Sequence, residues 1–405
     1  MTSEKKTYSR RSFFKTAGTA GAGAIITPAI LQAKNRTADN MRAGETVSVR
    51  PFGKTGISVS TLSLGGMFDI PSNQIILNLA VKFGVTYWDT AYRYGGGVSE
   101  EGIGMFFNKK PDVRKTIFLV SKAMSRNPGG MTDQLETSLK RMNTDYIDLY
   151  FIHSIGSIDE MTDGMKQWAQ EQKEKGKIKL FGFSTHRNME ECMMGAAKLD
   201  WIDGIMMSYN FRLMQKPEMK DAVQACAEKG IGLTAMKTQG GGSIKTETDT
   251  ELKMAGHFVK KGFTPEQAKL KAVWEDSRIS SICSQMPNST LLVANVAAAL
   301  DRKSLAAKDK ELLRQYACET ASDYCAGCGD ICESAIKGNV PISDIMRHLM
   351  YKRSYTDRDV AGTADRTLSV DIKQMASLDF SAAEKRCPQK MAIGHLIKEA
   401  AGLLS

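Results

Sequence analysis

Eight alternations of strand-like and helix-like segments run through residues 59–304, and three successive strand segments end in Asp89, Lys122 and His153, with Tyr94 in the loop after the first. The strand signals are short β-branched or aromatic runs closed by polar residues, at 59–66, 86–91, 116–122, 147–153, 179–185, 204–210, 232–238 and 279–286. Helical spacing between them, as at 74–83, 131–142, 161–175, 189–199 and 291–300, suits right-handed crossovers around a parallel sheet. Eight such units close a barrel, and side chains at the carboxyl ends of its strands converge however far apart they lie in the chain. Ahead of the first unit, 47–50 and 57–58 flank the turn-like Gly53-Lys54-Thr55-Gly56, which reads as a hairpin over the barrel floor.

Each of the four residues also has an ordinary reading. Asp89 can cap a helix, Tyr94 can be a loop aromatic, Lys122 a solvated charge and His153 a core histidine. Their joint register at neighbouring strand ends favours chemistry. A reaction that builds negative charge on an oxygen needs a proton to arrive as the charge appears. A phenol has an unperturbed pKa near ~10, and an ammonium beside it, held by a carboxylate, draws that value toward working pH.

These residues resemble the aldo-keto reductase superfamily. Phe52-Gly53-Lys54-Thr55-Gly56-Ile57 is similar to the family's hairpin, and Asp89-Thr90-Ala91-Tyr92-Arg93-Tyr94-Gly95 to its D-T-A-x-x-Y-G segment. Lys122 in Val120-Ser121-Lys122 and His153 in Leu149-Tyr150-Phe151-Ile152-His153 complete the match, which spans roughly residues 47–305. The resemblance implies an α/β fold, a (β/α)8 TIM barrel with an N-terminal hairpin plug, and a nicotinamide-dependent oxidoreductase acting on a small carbonyl or alcohol. Asp89, Tyr94, Lys122 and His153 are then the catalytic tetrad, with Tyr94 as general acid/base. The other function class left open is a non-catalytic or redox-relay binding module built on the same barrel.

The cofactor positions depart from the family pattern. The Ser-Asn pair expected after the fifth strand is Ser184-Thr185, Met206 stands where a Gln precedes Tyr209-Asn210, and Met236 replaces a stacking Tyr. The basic clamp for a 2'-phosphate falls on Gln285, Met286 and Leu291, none of them basic, while Asn295 matches an adenine contact. The expected cofactor is therefore NAD(P)(H), NADH no less than NADPH. Gly240, Gly241 and Gly242 offer a loop able to close over a pyrophosphate.

Ser9-Arg10-Arg11-Ser12-Phe13-Phe14-Lys15, followed by a mildly apolar run at 17–31, resembles a twin-arginine export signal over residues 1–34. It predicts an exported, periplasmic protein that meets the export machinery and a membrane only in transit. Residues 1–34 hold six cations against Glu4, a net +5, so half of the formal +10 belongs to this segment. The remainder is no nucleic-acid footprint. At 25% charged and 42% hydrophobic residues, the rest suits a globular protein with a full core.

Export of a folded protein suits one that must first load a cofactor. Cys325-Ala326-Gly327-Cys328-Gly329-Asp330-Ile331-Cys332 is a C-x2-C-x3-C run, and Cys387-Pro388 follows downstream. It resembles the ferredoxin-like extension of some aldo-keto reductases, with a helix starting at Pro341-Ile342, although the spacing differs from the ferredoxin run by one residue. Residues 306–405 are thus expected to be a helical metal-binding extension with Cys325, Cys328, Cys332 and Cys387 as ligands. A 4Fe-4S cluster, a four-Cys zinc site and disulfides all remain open. Cys318, seven residues before the run, is the competing fourth ligand.

Overall fold

The computed structural model describes residues 44–242, 248–338, 340–354 and 371–404; the export-signal segment lies outside them. Strands β1 (Val49–Pro51) and β2 (Ser58–Ser60) pair antiparallel as the hairpin. Eight parallel strands then close a barrel: β3 (Leu62–Gly65), β4 (Tyr87–Asp89), β5 (Phe118–Ala123), β6 (Ile147–Ile155), β7 (Ile178–Thr185), β8 (Gly204–Ser208), β9 (Gly232–Met236) and β10 (Ser281–Gln285). Chain order is kept around the ring, and β10 pairs with β3 to seal it.

The first predicted strand, 59–66, divides between two sheets. Val59 and Ser60 pair with β1, and the barrel strand begins only at Leu62. Ser60 explains the break: its hydroxyl donates to the Leu62 carbonyl at 2.8 Å and accepts from the Thr86 and Tyr87 amides, turning the chain from hairpin into barrel.

The floor is built on shape. Phe52, fully buried at the tip of β1, enters the barrel beside Tyr87 and Phe118. It does so because β8 and β9 both begin with glycine. A Cβ on Gly204 would stand 2.8 Å from the Phe52 ring, and one on Gly232 only 2.4 Å from it. Met206, Met236, Val120, Leu149 and Phe151 continue this inner core upward.

The helix Ala307–Glu319, past the expected boundary at 306, packs Leu313 and Tyr316 against Phe211, Met254 and Phe258. A separate core begins at Cys332, where Ile342, Ile345, Met346 and Leu349 of the helix Ile342–Ser354 meet Phe380, Cys387, Ile393 and Ile397. No helix among the described residues is long and apolar enough to cross a membrane.

Emptying the floor should be costly. Phe52→Ala is expected to lose about 3–5 kcal/mol of stability and Gly232→Ala about 1–3 kcal/mol by overpacking. Denaturant midpoints at unchanged m-value provide the measurement.

Candidate active site

β4 and β5 deliver an ion pair to the barrel mouth. Lys122 Nζ donates to Asp89 Oδ1 at 2.6 Å and to the Thr90 carbonyl at 2.7 Å, and it lies 3.4 Å from the Tyr94 hydroxyl. The lysine side chain is only 1% exposed and the aspartate 3%, so the ammonium has three partners and almost no water. Burial pushes the Asp89 carboxyl above its usual range, with the Lys122 charge acting in the opposite direction.

Tyr94 opens the tight turn Tyr94–Gly97, in which Gly95, Gly96 and Gly97 all have positive φ. That turn is pinned from behind. Arg141 donates to the Tyr92 carbonyl at 3.0 Å and pairs with the fully buried Glu100 at 3.1 Å, while Ser121, next to Lys122, donates to Glu100 at 2.6 Å. A Cβ on Gly97 would lie 2.4 Å from the Arg141 guanidinium. Nothing in the local sequence distinguishes Glu100 or Arg141, because their partners lie 20–50 residues away.

His153 reaches the same mouth because β6 bulges. Its pairing with β7 shifts between Ile152 and Ile155, and Ser154 takes a positive φ of 59°. The His153 ring meets the Tyr94 ring edge-on at 5.7 Å. Its Nδ1 is buried without a hydrogen-bond partner. Burial, then the charges of Lys122, Arg347, Arg126 and Lys237, hold its pKa well below the ordinary value. His186, after β7, is lowered in the same way and lies 3.3 Å from the Ser208 hydroxyl.

The residues expected to hold a dinucleotide divide into two groups. Ser184 accepts from the Ser154 amide at 2.9 Å, Gln285 donates to the Met67 carbonyl at 2.6 Å but keeps a buried, unpartnered Oε1, and Asn295 donates to Ser284 at 3.0 Å. Gly240 and Gly241, both at positive φ, lie beside Arg212, which donates to the Gly240 carbonyl at 2.8 Å. The others are engaged elsewhere. Thr185 turns its hydroxyl to the Ile155 and Arg187 carbonyls, and Met206 and Met236 pack in the barrel core. Met286 is fully buried and Leu291 is exposed. Asn210 donates to the Tyr324 hydroxyl at 2.9 Å and so serves the extension's docking, while the Tyr209 hydroxyl donates to Asp276 at 2.7 Å within the barrel.

Cys325, Cys328, Cys332 and Cys387 line one small pocket together with Ile342, Met346, Met391, Ile393 and Pro388. Cys318 is exposed and stands outside it. Burial pushes the Cys325 and Cys332 thiols up to about 12 and raises Cys328 as well. Such thiols are inert unless a metal replaces their protons. Among the described residues, no three His, Cys, Asp or Glu groups converge closely enough for a single metal ion.

The chain belongs to the aldo/keto reductase family, whose profile matches residues 59–311. It is 29% identical over 221 residues to a Schizosaccharomyces pombe aldo-keto reductase whose name carries NADP(+), covering 49% of this chain and 60% of that one. To L-galactose dehydrogenase of Arabidopsis thaliana it is 23% identical over 299 residues, 66% of this chain and 93% of the other. The aldo-keto reductase AKR11C1 from Bacillus halodurans, in its holo form, shares the fold at a TM-score of 0.55 and 20% identity, over 66% of this chain and 96% of that one. The chain is thus an oxidoreductase-family barrel.

The His153 environment has a pH consequence. The groups facing it are Lys122 and Asp89 from β5 and β4, Tyr94, Arg126, Lys237, His186 and Arg347. An unfolded imidazole takes up a proton near pH ~6.5, whereas this one stays neutral to lower pH, so the unfolded state binds more protons in between and stability falls as pH drops through that window. Thermal midpoints between pH 7.5 and 5 should fall less steeply in His153→Gln than in the unmodified protein. An equal fall in both would remove His153 from the account.

Proposed function

We propose that the protein is a nicotinamide-dependent oxidoreductase that interconverts a small carbonyl compound and its alcohol, with Tyr94 as general acid and base. The single observation that carries this reading is the saturated ammonium of Lys122, held by Asp89 and standing 3.4 Å from the Tyr94 hydroxyl. A proton leaving Tyr94 toward the substrate oxygen leaves a phenolate, which the adjacent ammonium stabilises. His153, kept neutral, donates a hydrogen bond to the same oxygen without competing as an acid. Arg141 and Glu100 hold the Tyr94 turn at the height this transfer needs.

The residues at the mouth fit a dinucleotide. Ser184, Gln285 and the unpartnered His153 Nδ1 offer polar atoms for the nicotinamide end, and the Gly240–Gly241 backbone is free of side chains. The bound dinucleotide supplies or accepts the hydride. NADH serves no less than NADPH, since neither Gln285, Met286 nor Leu291 offers a cation for a 2'-phosphate.

Four cysteine thiols on one apolar lining are a donor set shared by a 4Fe-4S cluster and a four-Cys zinc ion, and the run of three thiols joined by a distant Cys-Pro favours the cluster. Cys325, Cys328, Cys332 and Cys387 would hold it. The twin-arginine reading of residues 1–34 accords with cluster loading before export to the periplasm.

Tyr94→Phe removes one hydroxyl, so the fold should persist while kcat drops about 10²- to 10⁴-fold on a carbonyl that the enzyme reduces. Full activity in that variant would reject the assignment. Protein prepared without oxygen should carry roughly four iron and four sulfide per chain. Both should survive Cys318→Ala and be lost in Cys387→Ala; bound zinc, or the reverse pattern, would overturn the cluster.

A further inference from the structure

The helix Ile342–Ser354 belongs to the C-terminal extension, yet one of its faces looks into the barrel mouth. Arg347, with its side chain 18% exposed, donates to the Ser154 hydroxyl at 3.3 Å, directly after His153. One turn further on, Tyr351 lies under Lys237, whose Nζ is 4.2 Å from the ring centroid. Arg347 and Tyr351 are four residues apart and therefore share a face, which brings Arg347 and Lys237 to the same stretch of the mouth.

Lys237 is unusual in its backbone. It follows β9 with a φ of 58°, a left-handed conformation disfavoured for any residue with a Cβ. Strain of this kind persists where the surroundings enforce it and clusters at functional sites. The charges around it also fail to cancel. Lys122 is paired with Asp89, Arg126 with Glu160 and Arg347 with Asp344, while Lys237 pairs with no carboxylate among the described residues. The neighbouring imidazoles of His153 and His186 supply no counter-charge, being held neutral by burial first and by the same cations second. The mouth thus holds a surplus positive charge in partly desolvated surroundings, with a forked guanidinium beside it.

We propose that Lys237 and Arg347 form an anion clamp for a carboxylate carried by the substrate, so that the preferred substrates are oxo acids, hydroxy acids or sugar acids rather than neutral carbonyls or alcohols. This rests on the oxidoreductase reading and adds to it a substrate class and a residue from the extension. The guanidinium, with Nη1 on Ser154 and Nη2 on Asp344, keeps further N–H groups for a carboxylate oxygen, and the ammonium adds a point charge. The same anion-binding chemistry would also suit the pyrophosphate of a dinucleotide, so the test must separate the two sources.

The test compares kcat/KM for two matched pairs, D-glucuronate against D-glucose and phenylglyoxylate against acetophenone, in the full-length holoenzyme and in Lys237→Met, Arg347→Met and Arg347→Lys. The expected result is a charged-to-neutral ratio of about 10 to 100 in the unmodified enzyme, the worth of one or two charge-assisted hydrogen bonds. It should fall close to one in both Met variants, mainly through KM, and recover partly in Arg347→Lys. A unit ratio in the unmodified enzyme, or a ratio unchanged in the variants, overturns the clamp. Fluorescence titration with NADH and NADPH runs in parallel: if Lys237→Met weakens dinucleotide binding and leaves the ratio alone, the cation serves the pyrophosphate and the proposal fails. Should no carbonyl be turned over, the oxidoreductase reading fails by itself. Calorimetric binding of benzoate against benzyl alcohol then decides the clamp, which stands only if benzoate alone binds and Arg347→Met abolishes it.

Discussion

The pairing of Asp89 with Lys122 is the constraint around which the barrel mouth is arranged. Removing two charges from water costs several kcal/mol per ion, and a buried pair seldom repays this in stability. The upward shift of Asp89 marks that cost. What the pair supplies is position. With its donors engaged by Asp89 and the Thr90 carbonyl, the ammonium cannot swing away from the Tyr94 hydroxyl. Neighbouring elements conform to this arrangement: the Arg141–Glu100 bridge fixes the Tyr94 turn, and the β6 bulge turns His153 toward the Tyr94 ring.

The convergence of Asp89, Tyr94, Lys122 and His153 was legible in the sequence because each lies at or near the carboxyl end of a strand or in the loop after it, where the barrel's geometry makes position in the chain a guide to position in space. The supporting groups had no such signal. Glu100 and Arg141 lie on crossover helices, and their side chains meet only after the barrel has closed. Thr185 stands where a cofactor contact belongs, yet a threonine at a strand end is equally able to satisfy nearby carbonyls, and it does so. Met206 could be read as lost grip on a cofactor; in the fold it is one layer of the barrel core, which strand alternation alone did not specify. The four cysteines line one pocket without any three of them converging on a single metal position, and Cys387 joins the pocket because its segment packs into the extension's core, whereas Cys318 sits on the surface of the preceding helix.

A single helix of the extension borders both the cysteine pocket and the barrel mouth. Met346 closes the cysteine cavity and Arg347, the next residue, points to Ser154 in the barrel mouth. Two further anchors fix that helix relative to the barrel. Glu333 accepts from the amide and hydroxyl of Ser343 at the helix start and also pairs with Arg187 after β7. The loop between Cys325 and Cys328 docks through Gly327, whose carbonyl accepts from the Asn188 amide at 2.8 Å; a Cβ at Gly327 would stand 2.2 Å from the His186 carbonyl. Met346 and Arg347 are adjacent on one helix, so the position of the Arg347 guanidinium depends on how that helix packs over the cysteine pocket, whereas Asp89, Lys122 and Tyr94 are held by bonds internal to the barrel.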